Sequence, residues 1–324
     1  MTRATKALAL VAATLALTGP TLSAAPPPQR AFVAGSFGLE LESVFVGFVS
    51  RVEGGNVVGE VAKLAGEQFF VRKQLANVGV RDIVLEFGAG MNPALYNWMK
   101  AALERKAGPK SGAILTVDFK GEVRSRLEFH DEHITQITIP AADATSKDPL
   151  RFGIRLTPEH TTLAPGSGKP AAAPLSKQKL ALASSFRLTI DGLDMSRASN
   201  VESLTIDLPM RRDDVGESRD YAKGPAPIDF PNVFVTLAAS HAESVYGWLE
   251  DFVIQGNNSD ESEKNGSLEF LSPNLSTTLF ELTFKQLGIF EIAPVPTTNT
   301  DSIARVLIAM YCERIEFSHA GQPN

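Results

Sequence analysis

Residues 82–99 (DIVLEFGAGMNPALYNWM) decide the fold, because residues 232–249 (NVFVTLAASHAESVYGWL) have the same organisation at an offset of 150. In both stretches an apolar, strand-like segment leads into a helix-like segment that carries a tyrosine and, two residues later, a tryptophan. Self-similarity at a fixed offset is the signature of a repeated structural unit. The sequence therefore predicts two copies of one unit.

Each copy is predicted to contain one amphipathic helix with an apolar stripe at i, i+3, i+4 and i+7. The stripes are Leu95, Trp98, Met99 and Ala102 in the first copy and Val245, Trp248, Leu249 and Phe252 in the second. Asn92 followed by Pro93 is a typical helix start. Ser240-His241-Ala242-Glu243 has the pattern of a capping box, and Gly256 is expected to end the second helix. Within these stripes the tryptophans are expected to be core residues and not ligand-stacking residues.

Strand-like segments flank the helix in both copies. Phe37, Leu39 and Leu41 alternate with polar or small residues, and Phe186, Leu188 and Ile190 do the same at an offset of 149. The other matched segments are Val52-Glu53 with Val201-Glu202, Ile114 to Val117 with Leu268 and Phe270, Leu127-Glu128-Phe129 with Phe280-Glu281-Leu282, and Phe152, Ile154 and Leu156 with Val306, Ile308 and Met310. Agreement of several blocks in one order predicts a tandem duplication.

A Pro-, Gly- and Ala-rich stretch, Ala164–Ala183, separates the copies and lacks any apolar period. Such composition is typical of linkers. The predicted organisation is one domain over residues 31–163, a linker over 164–183 and a second domain over 184–319.

The central residues of the first copy resemble those of phage tail-tube proteins. The similarity runs through Lys73-Gln74-Leu75, Val84-Leu85-Glu86-Phe87 and Leu95-Tyr96-Asn97-Trp98-Met99, and again through residues 153–162 with Glu159. It covers most of residues 31–163 and, more weakly, residues 184–319. The family includes myophage tail tubes, the haemolysin-coregulated protein of type VI secretion and the inner tubes of contractile injection systems.

The resemblance implies a mainly β (α+β) fold of two tandem rolled antiparallel β-barrel or sandwich domains, each with one packed α-helix. It also implies subunits that assemble into hexameric rings and stack into a tube. This chain departs from the family in two ways. Members normally have one domain per chain, whereas two copies are predicted here. Members assemble in the cytoplasm, whereas this chain begins with an apparent export signal.

The N-terminus reads as an export signal. Arg3 and Lys6 precede an apolar run over residues 7–17, the pair Gly19-Pro20 follows, and small residues near Ala24 offer a cleavage site. The run is too short to span a bilayer, so residues 1–24 are predicted to be a signal peptide. The mature protein is then exported, periplasmic or extracellular, with no membrane span. Without such a signal it would be cytoplasmic.

The bulk composition narrows the function. A formal net charge of −6 argues against specific nucleic-acid binding, which depends on neutralising phosphates. Cys312 is the only cysteine, which excludes an intramolecular disulfide and a cysteine-rich zinc site. Its apolar surroundings indicate a core thiol and not a nucleophile.

Two further motifs have the residue types of a metal or phosphate site, but not the spacing or flanking residues that such a site needs. His130-Asp131-Glu132-His133 resembles a metal-ligand set, but on a strand residues three apart point to opposite faces. Gly166-Ser167-Gly168-Lys169 resembles a phosphate loop, but Pro170 replaces the required Ser or Thr. The acidic stretch Asp260–Lys264 is read as a solvated loop. No catalytic, cofactor-binding or metal-ligating residue is predicted.

The predicted function is that of a structural, self-associating protein that forms rings or a tube, with sheath- or baseplate-type proteins as further partners. Residues 54–79 and 209–229 are expected to reach neighbouring subunits, and the second segment carries Arg211, Arg212, Asp213, Asp214, Arg219 and Asp220. With two copies per chain, three chains would close a pseudo-hexameric ring. The alternatives are an exported binding or surface module that uses the fold without polymerising and, less favoured, an enzyme.

Overall fold

A computed structural model of the protein describes residues 35–64, 70–169, 181–213, 222–296 and 303–320. These residues are mainly β with two α-helices, so the predicted fold class is confirmed. The first half, residues 35–169, contains β1 (Ser36–Leu41), β2 (Val44–Val49), β3 (Arg51–Glu53), β4 (Val57–Leu64), β5 (Arg72–Val80), β6 (Ile83–Phe87), α1 (Pro93–Leu103), β7 (Lys110–Val117), β8 (Val123–Glu132), β9 (Ile134–Ile139), β10 (Ala142–Asp143), β11 (Phe152–Leu156) and β12 (Thr161–Pro165).

The second half, residues 181–320, contains β13 (Phe186–Ile190), β14 (Ala198–Val201), β15 (Leu204–Asp207), β16 (Met210–Asp213), β17 (Ala222–Pro225), β18 (Val233–Ala238), α2 (Glu243–Leu249), β19 (Lys264–Leu271), β20 (Thr278–Pro294) and β21 (Arg305–His319). The sheets have the orders β12-β8-β7-β1-β2, β15-β9-β11-β6-β3 and β10-β14-β18-β21-β20-β19-β13. The pairs β4–β5 and β16–β17 are separate hairpins.

The two halves pair their strands in the same register. The matching rows are Leu39–Ile114–Leu127 across β1, β7 and β8, and Leu188–Leu268–Leu282 across β13, β19 and β20. Leu127 therefore corresponds to Leu282, and the sequence match of Leu127 with Phe280 is wrong by two residues. An alternating strand pattern permits such a slip, because a shift of two keeps every side chain on its face.

The same irregularity interrupts the ladder in both halves. Asp131 in β8 and Gln286 in β20 have φ of +52° and +55°, in the left-handed region that non-glycine residues rarely adopt. Gly112 and Gly266 occupy matching places, where a Cβ would lie 2.3 Å from the carbonyl oxygen of Glu40 and 2.7 Å from that of Thr189. No larger residue fits at either position without displacing the neighbouring strand.

The helix start follows the sequence prediction in the first half only. Asn92 caps α1 as predicted, since its side-chain oxygen accepts a hydrogen bond of 2.9 Å from the Ala94 amide. The capping box at Ser240 is wrong, because residues 239–241 form a 3₁₀ turn and α2 begins only at Glu243. The Ser240 hydroxyl lies 3.0 Å from Nδ1 of His241 instead. A π-helical turn, Glu250–Ile254, continues α2, and Gly256 ends it with φ of +76°, as expected.

The two halves share sheets and a core. Strand β15 of the second half pairs with β9 of the first, and β10 of the first half pairs with β14 of the second. One continuous cluster of buried apolar side chains runs through both halves. The two halves therefore share one core, and each half adds a strand to a sheet of the other.

The predicted linker is too long at both ends. Ala164 and Pro165 belong to β12, where they pair with Arg126 and Ser125. At the other end, the Leu150 amide donates a hydrogen bond of 2.8 Å to the Ala181 carbonyl. Residues 170–180, the middle of the predicted linker, lie outside the described residues, and the boundary between two domains there stays a prediction.

Helix α1 joins the halves, since it packs against β21 of the second half. The Tyr96 ring centre lies 5.0 Å from that of Phe280 and 5.2 Å from that of His319. Phe152 approaches the Phe280 ring to 4.7 Å. Such aromatic pairs contribute about 0.5–1.5 kcal/mol each beyond the area they bury. The Asn97 side-chain oxygen lies 2.8 Å from Nε2 of His319. We call these contacts the α1 joint.

Emptying either tryptophan site should destabilise the whole protein. Trp98 and Trp248 are 3% and 6% exposed, in agreement with the predicted core role. We expect Trp98→Ala and Trp248→Ala each to lower the free energy of unfolding by about 3–5 kcal/mol in denaturant titrations, the usual cost of truncating a large buried aromatic residue. Because the core is continuous, one transition is expected. Phe119, which is 80% exposed, supplies the control: Phe119→Ala should change stability by less than about 0.5 kcal/mol. A Trp248→Ala variant as stable as this control would contradict the assignment.

Cutting the chain between the halves should leave them associated. We expect that replacing residues 171–178 with a protease site, followed by cleavage, yields two fragments that co-elute in size-exclusion chromatography and separate only in denaturant. The reason is the β15–β9 ladder together with the buried α1 joint. Ile206→Asp should release the fragments, because Ile206 is fully buried beside Ile137. Separation of the unmutated fragments in native buffer would contradict a shared core.

Acid should weaken the protein through His319. Burial lowers the pKa of His319, and Lys100 acts in the same direction. The unfolded chain therefore binds the proton more readily, so stability present above the ordinary histidine pKa of about 6.5 is lost as the pH falls from there through the lowered pKa of the folded state. We expect the melting temperature to drop more between pH 7.5 and 5 in the wild type than in His319→Gln. Equal drops in the two proteins would remove His319 as the cause.

Candidate assembly surfaces

An open apolar groove lies at one end of the first half. It encloses about 460 Å³, and its apolar lining residues are Phe37, Val52, Val57, Ile114, Leu127 and Leu163. Leu163 is 73% exposed and Val57 is 59% exposed. Exposed apolar surface of this kind marks an interaction site more often than a solvated surface. We call this cavity the first-half groove.

An apolar patch lies on the second half, on α2 and the turn that continues it. Tyr246 is 48% exposed and Ile254 is 73% exposed, while Trp248 and Phe252 of the same segment are buried. The helix therefore has its core stripe on one side and apolar side chains in contact with solvent elsewhere. Tyr246 and Ile254 form what we call the α2 patch.

An open strand edge lies beside this half. Residues 288–294 of β20 pair with β21, whereas β19 pairs only with residues 278–287. Within the described residues, no strand adds to the other side of 288–294, and Phe290 there is 42% exposed. Unpaired strand edges are templates for pairing with another chain. The α2 patch and this edge belong to the same half.

The two segments expected to reach neighbours form β-hairpins. In the first, β4 and β5 pair with each other and with no other described strand. Val61, Leu75 and Val78 are each at least 60% exposed on it. An isolated two-stranded hairpin is marginally stable in water, so an apolar one is suited to a partner surface. In the second, β16 and β17 lie within residues 209–229, and Asp214, Arg219 and Asp220 of the mixed-charge set fall outside the described residues.

The histidine-rich motif lines a cavity of about 790 Å³ together with Arg105 and Glu159. His130 and His160 face each other there with ring centres 6.3 Å apart. Glu132 is buried and its carboxylate accepts a hydrogen bond of 3.3 Å from the Glu159 amide. Among the described residues, no group of three His, Cys, Asp or Glu side chains has the geometry to hold a metal ion.

The other candidate motifs serve the fold. The Gly166 and Gly168 amides donate hydrogen bonds of 2.9 and 3.0 Å to carbonyls of Arg124 and Val123, which leaves them turned to a strand and not to a phosphate. Cys312 is buried, and burial raises the pKa of its thiol to about 11, as expected for a core residue.

The acidic stretch is less solvated than predicted. Glu263 accepts a hydrogen bond of 2.6 Å from the Tyr311 hydroxyl, and Lys264 begins β19 with its ammonium group 5.4 Å from the centre of the Trp248 ring. These partners hold the end of the loop against the sheet. No helix in the described ranges is long and apolar enough to cross a membrane. The predicted signal peptide, residues 1–24, lies outside those ranges.

The sequence alone did not identify the groove, the α2 patch or the open edge. Phe37, Leu127 and Leu163 are brought together only by the pairing of β1, β7, β8 and β12. Tyr246 matches Tyr96 in the repeat, but the sequence carries no sign that one is 48% exposed and the other 2%.

No protein-family model and no curated protein sequence matches this chain. Among solved structures, it is similar to the tube-terminating cap of the anti-feeding prophage, with a TM-score of 0.37 and 20% identity over 45% of this chain and 99% of that chain. It is similar to a chain of the PVC sheath–tube complex, from an extracellular contractile injection system, with a TM-score of 0.36 and 17% identity over 43% and 94%. A third similar structure is Hcp1 from Flavobacterium johnsoniae, with a TM-score of 0.26 and 14% identity over 43% and 98%. These are proteins of the kind that the sequence resemblance named, and each spans less than half of this chain.

Proposed function

We propose that this protein is a structural, self-associating, tail-tube-like protein whose chains assemble head to tail into rings or a tube. The observation that carries the proposal is the contact between its own halves. The first half places α1 on β21, and the second half adds β15 to β9. Because the halves have the same strand register, this is a contact between unlike faces of like units, as in the subunit contacts of a ring.

Head-to-tail contacts generate a closed ring when the rotation between units closes, and an open filament otherwise. In the family that the sequence resembles, the ring has six seats. A duplicated chain occupies two of them, so three chains complete a pseudo-hexameric ring. The apolar hairpin β4–β5 extends from the first half and would contact an adjacent subunit or ring. Sheath- or baseplate-type proteins are further partners in this proposal.

No catalytic role is assigned to any residue. The work of such a protein is done by surfaces, and its titratable side chains serve packing and ion pairs. Export by residues 1–24 belongs to the same proposal, which then places the assembly outside the cytoplasm. The alternative of an exported binding module is favoured by one observation, the first-half groove, which a monomeric protein would offer to an apolar ligand.

Native mass measurement on protein lacking residues 1–24 tests the proposal. We expect a three-chain species as the concentration rises, and ring-shaped particles in electron micrographs. A mass that keeps growing with concentration would support self-association and contradict closure. A monomer at the highest concentration reached would overturn the proposal and favour the binding module.

A further inference from the structure

We propose that Tyr246 of one chain inserts into the first-half groove of a second copy of the chain, and so repeats between chains the α1 joint made within each chain. This inference rests on the proposed self-association and names the surfaces that carry it. It follows from comparing what covers each half.

The surface that receives the helix tyrosine, which we call the acceptor, is formed by matching strand rows in both halves. In the second half, two rows of side chains run across the sheet, Phe186–Phe270–Phe280–His319 and Leu188–Leu268–Leu282–Phe317. In the first half, the matching rows are Phe37–Thr116–Ser125–Pro165 and Leu39–Ile114–Leu127–Leu163. Most residues of the first-half rows line the first-half groove. The groove is therefore the counterpart of the surface on which Tyr96 packs.

Among the described residues, only one of these two surfaces is covered. Phe317 is 3% exposed, because Phe152 and α1 from the first half pack over its end of the sheet. Leu163, at the matching position, is 73% exposed. Thr116 and Ser125 stand where the second half has the larger Phe270 and Phe280, and these smaller side chains leave room for an incoming aromatic ring.

The helix tyrosine that packs on such a surface, which we call the donor, is buried in one half and exposed in the other. Tyr96 and Tyr246 each precede a buried tryptophan by two residues on matching helices. Tyr96 is 2% exposed, while Tyr246 is 48% exposed. The chain therefore carries an uncovered acceptor on its first half and an unused donor on its second. A second copy of the chain complements both.

A strand contact between the same two halves would accompany the insertion of Tyr246. Within the chain, Ile206 of β15 pairs with Ile137 of β9. Ile292 on the open edge of β20 matches Ile137, since both pair with matching residues, Ile308 and Ile154, beside the same β-bulge. Val57 lies five residues after Val52, as Ile206 lies five after the matching Val201. The first half of the second copy thus offers the groove and the Val57 strand together.

A mixing experiment tests the direction of the contact. Tyr246→Arg destroys the donor and keeps the groove, whereas Leu163→Arg blocks the groove and keeps the donor. We expect each variant alone to lose at least about tenfold in affinity for itself, the effect of removing a central aromatic anchor. Mixed together, they share one intact donor and one intact groove, so native mass measurement should detect two-chain species and nothing larger.

Folding and position need separate controls. Both residues are exposed, so both variants should unfold at the same denaturant midpoint as the wild type, and Leu163→Ala serves if Leu163→Arg proves less stable. Phe119→Arg, at an exposed aromatic residue outside the groove, should assemble as the wild type does. Assembly of either interface variant at wild-type affinity, or a mixture that remains monomeric while the wild type assembles, would overturn the inference and leave the proposed function standing. A monomeric wild type would overturn both.

Discussion

The addition of β15 to the free edge of β9 is the contact on which the rest of the structure depends. It places a strand of the second half in a sheet of the first, with Leu204 and Ile206 buried and the Gln136 amide 2.7 Å from the Asp207 carboxylate. A backbone ladder fixes direction and register at once. The position of α1 over β21, and the single core that results, are consequences of that registration.

Sharing a sheet also determines what the surface exposes. Among the described residues, the contacts that cover β9 and Phe317 have no equivalent at Ile292 and Leu163. The apolar residues at those places are not defects of packing. In the proposed assembly these residues would be covered by a second copy of the chain, since unpaired strand edges and apolar grooves are surfaces at which proteins associate.

Several polar side chains have structural roles in the fold. Two tyrosine hydroxyls are held by partners within the fold: Tyr96 donates to the Gly88 carbonyl at 2.8 Å, and Tyr311 donates to Glu263. The histidine-rich cavity is lined by side chains from the end of β8 and the segment before β12.

The sequence by itself determined the two helices, several of the strands and their order. Alternation placed β1 and β13, the apolar stripes placed α1 and α2 with both tryptophans inside, and the matched offsets identified strands that the structure pairs in the same register. These features depend on interactions between residues close along the chain, or on patterns with a fixed period. The sequence misplaced the start of α2 and the match at Leu127, because a 3₁₀ turn and a two-residue shift leave such patterns intact.

Only the tertiary structure decided how the halves are joined and which surfaces stay open. Tyr96 and Tyr246 are equivalent in sequence, and the strands that carry Leu163 and Phe317 are equivalent in pairing register. Their exposure differs because burial depends on what the opposite half supplies, and that is a property of pairings between segments more than a hundred residues apart. Periodicity records which face of a strand is apolar. It does not record whether a partner in the same chain covers that face.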